Sequence, residues 1–164
     1  MPSELHIRRY RPGEDDDVVW ELHVIGIRQT GTDIGHGPWD DDLRAIEASY
    51  IEKGGDFLVG EVDGQAVAIG GIVPITDNRA ELKRMRVHPA YQRRGFGEAI
   101  LHALEQRARQ AGIRHLFLDT TLKQRAAVAL YRKHGYREIG ESVIGGFDCL
   151  VFEKDLVLAR SRPL

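Results

Sequence analysis

Alternating or continuous apolar stretches predict seven β-strands along the chain. The stretches are short and are separated by polar or glycine-containing segments, which is typical of the strands of a globular sheet. Their expected ranges are 5–10, 57–62, 66–73, 81–87, 115–119, 136–139 and 148–153. Asp63-Gly64 lies between the second and third strands and predicts a two-residue hairpin turn. The second, third and fourth strands are therefore expected to form an antiparallel meander.

Helical spacing of apolar residues predicts four helices between these strands. The first begins in the acidic run 14–17, the second extends from residue 39 or 40 to about 53, the third follows Gly97 and stops at Gly112, and the fourth extends from about 123 to 134. A glycine-rich loop, Thr30–Gly37, precedes the second helix. The order β-α-α-β-β-β-α-β-α-β-β predicts an α/β fold, with a mixed, mostly antiparallel central sheet and helices on both of its faces.

Length, charge and cysteine content narrow the function classes. The 164 residues are expected to form a single domain, 1–164, because a chain of this length can bury one core. The net charge of −2 gives no global field that would favour nucleic acid or a membrane as a partner. Cys149 is the only cysteine, and no apolar run has the length of a signal peptide or a membrane span, so a cytoplasmic location is predicted. The last residues, 160–164, are predicted to be a short polar tail.

The stretch Glu81–Ile100 combines a strand, a polar loop and a helix start, an arrangement that suits phosphate binding. Backbone N–H groups at a helix N-terminus lack internal partners and carry the positive end of the helix dipole. Gly95 and Gly97 let an anion approach the backbone, and Arg93 and Arg94 add positive charge at the same place.

Two motifs in this half of the chain are specific in combination. Gln92–Gly97 (QRRGFG) matches the pattern Q/R-x-x-G-x-G/A, and Leu130–Tyr136 (LYRKHGY) follows at about the right distance. Together they resemble the GNAT superfamily of acetyl-CoA-dependent N-acetyltransferases, with a similarity that covers roughly residues 56–152. The resemblance implies a GNAT-like fold, acetyl-CoA as co-substrate, and direct attack of a primary amine on the thioester. The acceptor would be a small-molecule or peptide amine.

The resemblance also implies which residues bind the cofactor. They are Met85, Arg86, Val87, Gln92, Arg93, Arg94, Gly95, Phe96, Gly97, Gln124 and Tyr131. Backbone groups of residues 85–87 would pair with the pantetheine arm, and amides of residues 93–97 would cradle the pyrophosphate. Gln124 stands where the family often has asparagine, so its amide is moved outward by one methylene group.

Two side chains are implied in catalysis. Glu81 would accept the proton of the amine, through water, and Tyr131 would protonate the departing thiolate. The residues themselves leave alternatives open, since Glu81 could pair with Lys83 or Arg79, and Tyr131 could be an aromatic that packs on the inner face of its helix.

The acceptor pocket is implied in the glycine-rich loop and the residues after it. Substrate binding is expected at Asp33, His36, Trp39 and Glu81. Acids and an aromatic ring suit a cationic amine. The acids at positions 40–42 are expected instead to cap and solvate a helix start. The seven histidines show no metal-ligand spacing, so no metal is predicted.

Other interpretations of the glycine motif agree less well with the surrounding residues. A dinucleotide-binding oxidoreductase could use Asp119 for the ribose, but its motif needs glycine or alanine where this chain has Ile100. A P-loop needs lysine and serine or threonine after the glycines. A non-catalytic module that binds CoA, acyl-CoA or a nucleotide stays open, as does an RNA-binding face built from Lys83, Arg84, Arg86, Arg93 and Arg94. The sheet edges or the last strands offer a route to a homodimer.

Overall fold

One seven-stranded sheet organises residues 4–156, the part of the chain that the computed structural model describes. Its order is β1-β2-β3-β4-β5-β7-β6. The strands are β1 His6–Arg9, β2 Asp56–Val62, β3 Gln65–Pro74, β4 Arg79–Val87, β5 His115–Thr121, β6 Arg137–Ile144 and β7 Phe147–Asp155. Neighbouring strands are antiparallel, except that β4 and β5 are parallel. The predicted mixed, mostly antiparallel sheet is therefore confirmed, while the polar tail predicted at 160–164 lies outside the described residues.

Two tight turns set the lengths of the hairpins. Asp63 and Gly64 join β2 to β3 with φ angles of 51° and 80°, as the two-residue turn requires. Gly145 and Gly146 join β6 to β7 and also have positive φ. Because this second turn takes up only two residues, β6 continues to Ile144 and β7 begins at Phe147. Both strands are therefore longer than predicted.

Helices cover both faces of the sheet, as predicted. They are α1 Asp16–Gln29 and α2 Asp41–Arg44 on one face, and α3 Phe96–Gln110 and α4 Arg125–Lys133 on the other. Strand alternation separates two cores, because successive side chains point to opposite faces. The core under α1 contains Val19, Leu22, Tyr50, Phe57, Val59 and Ile69, and the core under α3 and α4 contains Leu58, Ala68, Ile100, Leu104, Val128 and Tyr131.

The second predicted helix, about 39–53, is wrong as a single element. It is a 3₁₀ turn at Pro38–Asp40, then α2, then a π-helical turn at Glu47–Ile51. The chain leaves the helical conformation at Ala45, where φ is −144° and ψ is 57°. The predicted apolar positions that reach the core are Leu43, Ile46 and Tyr50. Packing of both halves against the sheet therefore outweighs the local helical pattern.

The parallel strands β4 and β5 separate soon after they meet. They pair only at Arg79–His115, Ala80–Leu116 and Glu81–Phe117. Beyond this point, β4 is bulged against β3, and Arg84 has a φ of +61°. A bulge bends its strand and increases the local twist. The C-terminal halves of β4 and β5 therefore leave a gap at the centre of the sheet.

Strands β1 and β6 form the two edges of the sheet. A homodimer through these edges stays a prediction. Within residues 4–156, the helices lack the length and apolar character needed to cross a membrane.

Candidate active site

The gap between β4 and β5 opens into a cavity of about 500 Å³. Its walls come from α1, the segment around Trp39, strands β4 and β5, α4 and the residue before it, and the turn between β6 and β7. The predicted site residues that line it are Trp39, Glu81, Met85, Arg86, Gln124 and Tyr131. Residues far apart in the chain thus meet at one cavity.

Glu81 lies on β4 at the last position that pairs with β5, and it is half-buried. Within residues 4–156 its carboxylate makes no ion pair, so the alternative pairing with Lys83 or Arg79 is not formed. Burial raises the pKa of Glu81; the charge of Lys83 opposes this shift and that of Asp119 adds to it. An unpaired carboxylate with a raised pKa is suited to accept a proton.

Tyr131 is 4% exposed and lines the cavity from α4. Its ring packs against Tyr136 and Phe152, with centroids 5.5 Å and 6.1 Å away. Burial raises the pKa of the phenol, so Tyr131 stays protonated at neutral pH. The packing role and the proton-donor role predicted for this residue are therefore compatible.

Gln124 precedes α4 and also lines the cavity. Its Oε1 accepts a hydrogen bond from Thr120 Oγ1 at 3.1 Å. The carbonyl end of the amide is thus engaged, and its nitrogen is the group that a ligand could use.

The glycine loop lies at the N-terminus of α3, outside the cavity lining. Arg93 and Gly95 have left-handed φ angles of +63° and +79°, and no side chain caps the helix. Left-handed residues in such a turn orient successive backbone N–H groups toward one point, which forms an anion-binding concavity. The Arg94 guanidinium lies over the ring of Tyr91, 5.1 Å from its centroid. The loop therefore has the backbone geometry that phosphate binding would need, and phosphate binding itself stays a prediction.

Gln92 joins this loop to two other elements. Its Nε2 donates to the carbonyl oxygen of Val87 at 3.1 Å, and its amide exchanges two hydrogen bonds with that of Gln29, at 3.0 Å and 3.1 Å. The amide of the Gln92 side chain is therefore engaged in hydrogen bonds within the protein, and these bonds join the loop to β4 and α1.

The predicted acceptor residues separate into two groups. Trp39 lines the cavity and is 53% exposed, and its Nε1 donates to the carbonyl oxygen of Gly35. Asp33 and His36 lie outside the lining. The Asp33 carboxylate accepts from Arg28 and from the amide of Gly35.

His36 is held beside the cavity rather than in its wall. Its Nδ1 lies 3.3 Å from Asp40 Oδ2, and its ring lies 4.8 Å from that of Trp20. The side chains of both Asp33 and His36 are thus engaged in contacts with neighbouring residues, outside the cavity lining.

A buried dyad of His23 and Asp40 lines the cavity and was not predicted. His23 Nε2 lies 3.0 Å from Asp40 Oδ1, and the two residues are 2% and 1% exposed. Burial, with the charges of Arg86 and Arg84, lowers the pKa of His23 to about 4, so the ring is neutral at neutral pH. A histidine inside the apolar stripe of α1 was the available sequence signal.

The prediction that residues 40–42 cap and solvate a helix start is wrong for two of the three acids. Asp40 is buried against His23, and Asp42 accepts hydrogen bonds from Arg84 and Tyr50. Only the Asp41 carboxylate is mainly in solvent, with 69% of its side chain exposed. Since no side chain caps α2, tertiary pairing decides where these acids point.

The side chains of β4 divide between the two faces. Met85 and Val87 pack on the α3 face, whereas Arg84 and Arg86 lie on the α1 face. Arg93 and Arg94 are exposed in the loop. The basic residues that are close in sequence therefore do not form one patch, which weakens the RNA-binding interpretation.

Two groups among the described residues bring three potential metal ligands within 4.8 Å of one another. They are Glu98, His102 and His134, and His115, Glu153 and Asp155. Both lie outside the cavity lining. Sequence spacing could not indicate them, since each combines residues from two or more elements.

Comparisons with known proteins show which family and fold this chain is similar to. The acetyltransferase (GNAT) family model matches residues 22–136. Over 125 residues, the chain is 33% identical to an uncharacterized N-acetyltransferase of Escherichia coli, YjgM, with 73% of this chain and 74% of that protein covered. The chain spans about half the length of several other N-acetyltransferases that it matches.

Solved structures share the fold. An acetyltransferase of the GNAT family from Staphylococcus aureus superposes with a TM-score of 0.86 at 20% identity, covering 94% of this chain and 100% of that one. The structure of yncA from Salmonella typhimurium, which holds its cofactor acetyl-CoA, superposes with a TM-score of 0.72 at 19% identity, covering 98% and 99% of the two chains.

Proposed function

The chain belongs to the acetyltransferase (GNAT) family and is an acyltransferase, and from this premise we propose that it transfers the acetyl group of acetyl-CoA to a primary amine of a small molecule or peptide. The proposal depends on one observation, the meeting of Glu81, Tyr131 and the separated strands β4 and β5 at a single cavity. The amine nitrogen attacks the thioester carbonyl carbon directly, the carbon–sulfur bond breaks, and CoA leaves as its thiol.

Acetyl-CoA would be held at two places. The uncapped N-terminus of α3, with the amides of residues 93–97, would bind the pyrophosphate. The edge of β4 at residues 85–87 is no longer paired with β5, so its backbone groups can hydrogen-bond to the pantetheine arm. Gln92 would keep the loop in place, and the Gln124 amide would contact the arm in the cavity.

The protons move between groups that line the cavity. The amine must lose a proton to expose its lone pair, and Glu81 would accept that proton through water. A backbone N–H of β4 near Met85 would donate to the oxyanion of the tetrahedral intermediate. Tyr131, which burial keeps protonated, would donate its proton to the thiolate as the carbon–sulfur bond breaks.

Residues 1–164 are proposed to act as one domain, since the described strands belong to a single sheet. A cytoplasmic location is proposed from the single cysteine, Cys149, which is buried and unpaired.

The proposal is tested with a panel of amines and acetyl-CoA, reading free thiol and the mass of the product. Amine-dependent thiol release with a mass gain of one acetyl group on the amine is the expected result. Stabilisation by acetyl-CoA without amine-dependent thiol release would favour a non-catalytic CoA-binding module. Stabilisation by nucleotides or RNA, with none by CoA, would favour a different ligand altogether.

A further inference from the structure

Unsatisfied polar atoms are concentrated at the cavity. Within residues 4–156, four buried side-chain nitrogen or oxygen atoms have no hydrogen-bond partner. They are His23 Nδ1, Arg86 Nε, Thr121 Oγ1 and His134 Nε2. Three of the four residues line the cavity, and His134 is the exception. Buried polar groups are nearly always paired in folded proteins, so three exceptions among the residues that line one cavity favour a polar ligand there.

Arg86 is the most unusual member of this cluster. It crosses from β4 to α1, where its Cδ lies 2.5 Å from the position that a Cβ on Gly26 would occupy. Among the described residues no carboxylate forms an ion pair with it, and its Nη1 donates to the carbonyl oxygen of Met85 at 3.1 Å. Nε is buried against α1 without a partner, so among the described residues Nη2 is the guanidinium nitrogen that is left to donate a charge-assisted hydrogen bond to a carboxylate.

The neighbouring cation shows the contrast. Arg84 binds Asp42 at two points and also donates to the carbonyl oxygen of Trp39 at 2.7 Å, so its charge is neutralised inside the protein. Burial and the charge of Arg84 lower the pKa of Arg86 to about 10, which still leaves it protonated at neutral pH. Arg86 therefore brings to the cavity a positive charge that no carboxylate of the described residues pairs with.

His23 supplies the complementary group. Because the carboxylate of Asp40 can only accept, the proton lies on His23 Nε2 and a lone pair is left on Nδ1. Arg86 and His23, which both line the cavity, thus hold a positively charged N–H donor and a buried neutral nitrogen acceptor that has no partner among the described residues. At the other end of the β4 lining stands Glu81, near Asp119, and these acids favour a cationic group there.

Large apolar side chains surround the opening. Trp39, Ile34 and Ile144 line the cavity and are 53%, 47% and 51% exposed, and Ile27 and Phe147 line it as well. Exposed apolar side chains that gather at one cavity favour an apolar ligand group.

We propose that the acceptor is an amino acid with an apolar side group, whose carboxylate binds the guanidinium of Arg86 at Nη2 while its amine is acetylated. This rests on the proposed acetyltransferase function and names its substrate class. The carboxylate supplies the missing counter-ion of Arg86. The apolar part of the acceptor packs against Trp39 and the isoleucines at the opening.

The first test uses the unaltered protein and matched acceptors. Phenylalanine is compared with phenylalaninamide and phenethylamine, and 4-(aminomethyl)benzoate with benzylamine, so that short and long spacings between amine and carboxylate are both sampled. In at least one set, kcat/KM for the carboxylate-bearing member is expected to exceed that of its neutral partners by about 10- to 100-fold, the ratio that a hydrogen bond to a charged group supports. An α-amino amide has the more weakly basic amine, with a pKa near 8, so this preference would oppose intrinsic reactivity.

The second test changes Arg86. In Arg86→Gln the ratio of kcat/KM for the carboxylate-bearing acceptor to kcat/KM for its neutral partners should fall to about one. The thermal shift produced by acetyl-CoA should be retained. Arg114→Gln is the matched control, since Arg114 is exposed and lies outside the cavity lining. Gly26→Ala keeps the guanidinium but places a methyl group against it, so it should also reduce the ratio.

Each outcome has one meaning. Equal or faster acetylation of the neutral partners by the unaltered protein, or acetylation of other amines only, overturns the proposal. A ratio that Arg86→Gln leaves unchanged overturns it as well, and so does a matching loss of the acetyl-CoA thermal shift, which would assign Arg86 to the cofactor. If no amine is acetylated at all, the proposed acetyltransferase function itself fails.

Discussion

Arg84 and Asp42 form a two-point ion pair, with Nη2 2.6 Å from Oδ1 and Nε 3.0 Å from Oδ2. The pair joins the bulge of β4, where Arg84 has a left-handed φ, to the short helix α2. It neutralises Arg84 and leaves the charge of Arg86 to the cavity. The same contact thus fixes the position of Arg84 at the cavity and leaves Arg86 as the arginine proposed to bind the acceptor.

Asp42→Asn should destabilise the protein by about 2–3 kcal/mol, because breaking a mostly buried pair leaves one charge without its partner. Burial pushes the pKa of Asp42 upward, but the hydrogen bonds and charge of Arg84 outweigh this and the pKa is lowered. A lowered folded-state pKa gives stability that is present above the unfolded value and is lost as the pH falls through the folded value. Denaturant unfolding at several pH values should therefore show that the difference in unfolding free energy between the unaltered protein and Asp42→Asn shrinks below about pH 4.

The neighbouring acid provides the control for this experiment. Asp41 and Arg44 lie 3.4 Å apart with 69% and 50% of their side chains exposed. Asp41→Asn should change the unfolding free energy by only about 0.5 kcal/mol or less. Equal losses in the two variants would contradict the structural role of the Arg84–Asp42 pair.

Glu81→Gln should slow acetyl transfer at neutral pH and recover part of the rate at alkaline pH, where the amine deprotonates without a base. Because burial raises the pKa of Glu81, the protonated carboxyl group is favoured in the folded state. Its contribution to stability is fully present below the unfolded pKa and is lost as the pH rises through the folded pKa. The variant should therefore melt at an equal or higher temperature at neutral pH. A pH–rate profile identical to that of the unaltered protein would leave Glu81 without a role as the base.

Tyr131→Phe removes one oxygen and keeps the ring that packs on Tyr136 and Phe152. The melting temperature and the acetyl-CoA affinity should change little. Turnover should fall by about 10²-fold, the low end of general acid catalysis, because a thiolate is already a fair leaving group. Measuring kcat and cofactor affinity on this single variant separates the roles, since unchanged turnover would make Tyr131 a packing residue only.

Gly97 allows a matched pair of substitutions in the loop proposed to bind the pyrophosphate. A Cβ there would lie 3.6 Å from Leu130 and from Val87, which is ordinary contact, so Gly97→Ala should fold and still show a thermal shift with acetyl-CoA. Gly97→Asp adds a negative charge at the proposed pyrophosphate site and should abolish that shift. If the two variants respond to acetyl-CoA alike, the loop does not bind the pyrophosphate.

Local chemistry explains why much of the fold could be predicted. The Asp63-Gly64 turn, the alternating strands and the glycine that ends each of α3 and α4 depend on neighbours in the chain, and the structure has them where they were expected. The motif at Gln92–Gly97 indicated the family for the same reason, since a phosphate-binding loop is built from consecutive backbone amides. The comparisons with known proteins confirm that family.

The sequence by itself thus determined the sheet and the family and indicated the loop proposed to bind phosphate, whereas only the tertiary structure decided which charged side chains line the cavity. Asp40 and Asp42 have the pattern of a helix start, yet both are largely buried. Asp40 contacts His23 of α1, and Asp42 pairs with Arg84 of the β4 bulge. Arg86 has the pattern of a surface cation in a basic run, yet the bulge and the absence of a side chain at Gly26 place it at the cavity. Charges pair across space rather than along the chain, so their partners are known only when the elements that carry them have packed.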